Sequence, residues 1–175
     1  MASNNKSIKK HSDDLTGEHK FGDTGQLITF ILFLIVWITD GFFLHYTTVL
    51  DKYIPLAAQI SVATILMLVA VLMARSGMKI VFGKTREKPG VIREGIFGIV
   101  RHPIYLSEIL FYLSLIIFKI SLAALGIWII AVLFLHYLSR FEEKLLLDRF
   151  DDDYRRYMKD VPMYFPRLIK KKEIH

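Results

Sequence analysis

Two short clusters hold the side chains best suited to chemistry: Arg101-His102-Pro103-Ile104-Tyr105 and Glu142-Glu143. Proline is favoured at the first position of a helix, so Pro103 is expected to open one, with His102 just before it and Tyr105 in its first turn. A helix N-terminus offers free N–H groups and a partial positive charge, which suit a carboxylate or phosphate ligand. A plain helix start with Arg and Tyr as interfacial anchors explains the same spacing. Glu142 can accept hydrogen bonds from a ligand's hydroxyl or amino groups; the plainer reading is a solvated Glu with an i,i+4 partner. Other chemistries are excluded. The chain has no cysteine, and His11, His19, His45, His102, His136 and His175 form no metal-ligand spacing. No phosphate-cradling loop is present, and Gly95-x-x-Gly98 lacks the βαβ unit that a dinucleotide fingerprint needs. Neither a metal nor a nucleic acid is therefore expected as a partner.

The elements that must position these residues are membrane helices. Of 175 residues, 53% are hydrophobic and 23% charged, a mixture too apolar for a soluble domain of this size and too hydrophobic for disorder. A span needs about 20 mostly apolar residues. Gln26–Tyr46 fits with one acid, Asp40, placed to reach the outer interface; Ile54–Ala74 fits with no formal charge. Ile104–Phe118 is short, and becomes long enough if it starts at Pro103 and runs into the turn at Lys119. Ser121–Leu138 follows so closely that the last two spans must form an antiparallel hairpin. The fold class is all-α, a polytopic helical membrane bundle of four spans, or five if one segment is broken. Residues 1–25 are polar, without a signal peptide, and read as a tail before a single membrane domain, 26–175. Beyond Leu138 the fourth helix continues out of the bilayer, and residues 148–160 read as a solvated surface helix with Phe150, Tyr154 and Tyr157 as its buried stripe.

Charge gives the orientation. Residues 75–101 carry seven basic residues against two acids, and the stretch from Ser139 onward carries ten basic residues. The positive-inside rule then places both termini and the central loop in the cytoplasm, where the two clusters meet. Glu108 lies at membrane depth, three residues after Tyr105 and on its face, and a charge there is expensive enough to be informative. Its alternatives are a side chain that snorkels to the interface, a protonated acid, or a group that orients or deprotonates the substrate.

The stretch Gly95–Tyr105, followed by Glu142-Glu143 and then Phe150, Tyr154, Tyr157 and Val161-Pro162, resembles the isoprenylcysteine carboxyl methyltransferase family, to which membrane phospholipid N-methyltransferases are related. The resemblance covers about residues 88–166, and the cofactor-binding part it implies extends over about 88–168. It implies an S-adenosylmethionine site, with S-adenosylhomocysteine as product, built from the last membrane hairpin and the C-terminal segment. Matching cofactor-binding positions are Pro89, Gly90, Val91, Ile92, Phe97, His102, Pro103, Ile104, Tyr105 and Glu142. The chain departs from the family's pattern at three places: Pro89 stands for histidine, Phe97 for tyrosine, and Leu138 for the arginine expected to hold a substrate carboxylate. Arg140 is the nearest substitute, though two residues before Glu142 is a different helix face.

The resemblance thus implies an integral-membrane methyltransferase acting on a lipophilic substrate that arrives through the membrane lipids, most like the prenylcysteine carboxyl O-methyltransferases. A lipid-amine N-methyltransferase is the alternative among enzymes, with Glu108 and Arg140 as candidate catalytic groups. A non-enzymatic lipid-binding or scaffold protein is the alternative of another class. Water-soluble cofactor and lipid-soluble substrate must meet from different solvents, so a cytoplasmic opening and a lateral gap between helices are both expected.

Overall fold

The structure is a computed structural model and describes residues 22–83 and 90–165. The described residues are all-helical, with four α-helices: α1 (Gly22–Ile38, widening into a π turn over Thr39–Leu44), α2 (Leu56–Phe82), α3 (Pro103–Phe118) and α4 (Leu122–Asp160). Gly22–Leu44, α2 and α4 are each long and apolar enough to cross a membrane. The 16 residues of α3 span only about 24 Å at about 1.5 Å per residue, short of a hydrocarbon core of about 30 Å. The chain is a multi-pass membrane protein, and large apolar residues such as Ile28, Ile35, Leu68 and Leu133 stand exposed on its flanks for lipid to cover.

Local sequence sets the boundaries. Pro55 precedes α2 and Gly83 closes it; Pro103 opens α3; Ser121 caps α4 by accepting from the Ala124 N–H at 3.1 Å. Three boundaries differ from the hydropathy reading. Helix α1 begins at Gly22, inside the stretch read as a tail, and ends at Leu44 rather than Tyr46. Helix α2 runs to Phe82 rather than Ala74, because backbone hydrogen bonding continues past the point where Arg75 and Lys79 end the apolar run. Helix α4 is interrupted at Asp151 (φ +37°), which redirects the last stretch. Of the surface stripe, Tyr154 and Tyr157 are buried and Phe150 half-buried.

The most extensive helix contact is α2 with α3, and α4 packs on both α1 and α3. Gly77 permits the first: a Cβ there would stand 2.9 Å from Ile104 Cγ1. The core holds Phe33, Tyr112, Ile116, Ala124 and Ala131, with the Phe33 and Tyr112 rings stacked at 4.6 Å. At the end away from Arg101–Tyr105, Asp40 is held by the protein itself. It is buried, 6% exposed, and accepts from the Thr47 N–H (3.0 Å) and the Ser121 hydroxyl (2.6 Å). Lys119, in the turn between α3 and α4, pairs with Asp51. These contacts tie the α1–α2 connection to the hairpin turn, so the expensive acid is a structural anchor.

Candidate functional site

Four pieces of chain converge at the basic end of the bundle: the connection leading into α3, the first turn of α3, the part of α4 beyond the apolar run, and the stretch after Asp160. The convergence is held by backbone as well as side chains. The Arg101 N–H donates to the Pro162 carbonyl (2.9 Å) and the His102 N–H to the Met163 carbonyl (3.3 Å). Tyr157 donates its hydroxyl to the Phe97 carbonyl at 2.7 Å. Val91 packs on Tyr154, Tyr157 and Val161. Gly95 makes the turn possible with φ +57°, and a Cβ there would sit 2.7 Å from Ile80 Cδ1.

The two consecutive glutamates have different positions. Glu143 is 2% exposed and receives Arg101 through Nε (2.8 Å) and Nη2 (2.7 Å). Arg101 also donates to the Met158 carbonyl at 3.0 Å and to that of Val161. This ion pair with its extra acceptors is the brace that holds the C-terminal stretch on α4. Glu142 keeps 20% of its side chain exposed and accepts from the Tyr105 hydroxyl. His102 lies between them, Nδ1 3.6 Å from Glu142 Oε2 and Nε2 3.4 Å from Glu143 Oε1. Its ring stacks on Tyr105 at 5.8 Å with an interplanar angle of 8°. Tyr164 flanks the histidine at 6.2 Å and shares a hydrogen bond with Ser139 at 2.6 Å.

Burial disfavours a charged imidazole, but hydrogen bonds and attraction from Glu142 and Glu143 outweigh it and raise the His102 pKa above its ordinary value. The protonated ring is thus bound more tightly in the folded chain than in the unfolded one. That stabilisation is complete below about pH 6.5 and is lost as pH rises through the raised folded value. The thermal midpoint in detergent is expected to fall as the pH climbs from about 6 to about 9, more steeply than in His102→Asn. Equal slopes for the two proteins would contradict the linkage.

Of the residues singled out from sequence, the structure gathers Val91, Phe97, His102, Pro103, Ile104, Tyr105 and Glu142 around this end. Gly90 and Ile92 lie on the same connection, and a Cβ on Gly90 would meet nothing within 4 Å. Pro89 lies outside the described residues, as do residues 1–21 with the expected polar tail. Arg140 is turned toward solvent: its side chain is 63% exposed and reaches Glu143 at 3.4 Å. Leu138 is buried. Arg101 and Glu143 were missed as a unit. The available signal was helical geometry, since consecutive glutamates point about 100° apart and cannot share one task.

Glu108 stands one turn along α3 from Tyr105 and accepts from the Tyr112 hydroxyl at 2.7 Å. It lines a cleft of about 420 Å³ between α1 and α2, floored by α3 and otherwise mostly apolar. The cleft lies on the same half of the bundle as the histidine. Among the described residues no group of acids and histidines is arranged to hold a metal.

No curated protein and no solved structure matches the chain. Residues 15–161 match the family described as Protein of unknown function (DUF1295), and since that stretch is most of its length the chain belongs to the DUF1295 family.

Proposed function

We propose that the chain is an integral-membrane methyltransferase that uses S-adenosylmethionine to methylate a lipophilic substrate, most like the isoprenylcysteine carboxyl methyltransferases. The observation that supports it best is the grouping of His102, Tyr105 and the part-exposed Glu142 beside an interhelical apolar cleft. The residues fit the cofactor's chemistry. Glu142 is an acceptor for its hydroxyl or amino donors, the open space at Gly90 lets backbone approach it, and half-buried Ile92 and Phe97 offer apolar flanks. When bound, S-adenosylmethionine supplies an electrophilic methyl on a sulfonium.

The chain's own residues then have alignment as their main task, because in-line displacement gains more from positioning than from acid–base help. Glu143 and Arg101 fix His102 and the C-terminal stretch, and His102 and Tyr105 in turn fix the Glu142 carboxylate. The Tyr105 or Phe97 ring can face a positive charge, an attraction worth roughly 0.5–2 kcal/mol. Exclusion of water at the interface strips the acceptor's hydration shell and strengthens it as a nucleophile. The basic residues flanking the site put it on the cytoplasmic side in this reading.

The reading is tested with purified protein in nanodiscs, methyl-tritiated S-adenosylmethionine and a membrane lipid extract. Label entering the organic phase with wild type and not with Glu142→Ala is expected. Label that never exceeds the Glu142→Ala background overturns the activity.

A further inference from the structure

The cleft beneath the site has its own chemistry. It lies between Gln26 and Phe30 of α1 and Ala70 and Ala74 of α2, over Phe111 of α3. At about 420 Å³ it is in the size range of small-ligand sites, about 300–1,000 Å³. Its polar groups are few. The Ser107 hydroxyl is already given to the Ile104 carbonyl at 2.6 Å. Glu108 is the one acid or base of the lining apart from Tyr112, which donates to Glu108 Oε1. Among the described residues, no lysine, arginine or histidine lines the cleft to balance that carboxylate.

We propose that the cleft takes a lipid with an amine head, and that Glu108 holds the ammonium with the acyl or alkyl chain lying in the apolar part. This rests on the methyltransferase reading and moves its acceptor from a carboxylate to an amine. Charge complementarity decides it. A carboxylate head would meet a carboxylate in a low-dielectric wall, whereas an ammonium supplies the partner that the wall lacks. Among the described residues, the position one turn before Glu142 is the buried Leu138 rather than an arginine, and Arg140 points outward. Position agrees as well: Glu108 is three residues past Tyr105, about 4.5 Å along the helix axis.

The step balances. The ammonium would give one proton to the Glu108 carboxylate, and the freed nitrogen lone pair would form the N–CH₃ bond as the methyl leaves the sulfonium that S-adenosylmethionine would supply when bound. The products are the N-methylammonium lipid, neutral S-adenosylhomocysteine and a protonated Glu108 that returns its proton to solvent.

Native mass spectrometry of the full chain in detergent tests this with dodecylamine, dodecanol and dodecanoate as probes. Wild type is expected to bind the amine at least about tenfold more than either of the others. Glu108→Gln should reduce that ratio to about one, and Val71→Trp, which fills the cleft from its lipid-exposed wall, should weaken amine binding. Equal or better binding of the alcohol or acid by wild type overturns the proposal, as does an amine preference that survives either substitution. The wild-type series and Val71→Trp decide the matter even if Glu108→Gln does not fold. S-adenosylhomocysteine affinity on the same samples separates the two readings. Cofactor binding without amine preference removes the cleft assignment alone, and amine preference without cofactor binding removes the methyltransferase reading alone.

Discussion

Arg101→Ala is expected to destabilise the chain by about 3 kcal/mol, the low end of the range for removing one partner of a buried pair. The substitution leaves Glu143, 2% exposed, without its main counter-charge. It also orphans the Met158 and Val161 carbonyls that the guanidinium joins. His102 remains 3.4 Å from Glu143, which is why the low end is chosen. The loss should concentrate on the stretch after Asp151, so hydrogen exchange there should rise before the bundle melts. Unchanged exchange over residues 152–163 together with an unchanged thermal midpoint would remove the brace from the account.

Glu142→Ala should behave in the opposite way. Its side chain is part-exposed and its fixed contacts are Tyr105 and His102, neither of which is left as a buried unpaired charge by the change while Glu143 remains. Losing a charged acceptor should cost S-adenosylhomocysteine binding about 1.5–3 kcal/mol, roughly ten- to a hundredfold in affinity. The thermal midpoint of the ligand-free protein should move much less than for Arg101→Ala. Isothermal titration and a melting curve on one preparation read both, and unchanged affinity would take Glu142 out of the site. The two adjacent glutamates differ in burial, and the two substitutions test whether they also differ in task.

Much of the bundle is legible in the sequence because hydrocarbon imposes a coarse rule. Apolar runs give four helices, the short gap at Lys119 gives the hairpin, and Pro103 marks a helix start. The rule fails where polar residues change role through partners that are distant in sequence. Asp40 reads as an acid placed for the outer interface, and its sequence position does not show that Thr47 and Ser121 satisfy it. Hydropathy ends the second span at Ala74, whereas helical hydrogen bonding carries it to Phe82. The candidate site is visible as two motifs, but which glutamate is buried depends on Arg101 reaching across from the other motif. The break at Asp151 has no glycine or proline to announce it, since an aspartate between Phe150 and Asp152 is ordinary helix-surface sequence.

The cofactor assignment is the claim on which the mechanism depends, and titrating S-adenosylhomocysteine into the full-length protein in detergent tests it most directly. Saturable binding of one molecule per chain, weakened at least about tenfold by Glu142→Ala, is the predicted result. A wild-type sample that shows a cooperative thermal transition and still takes up no S-adenosylhomocysteine would contradict it.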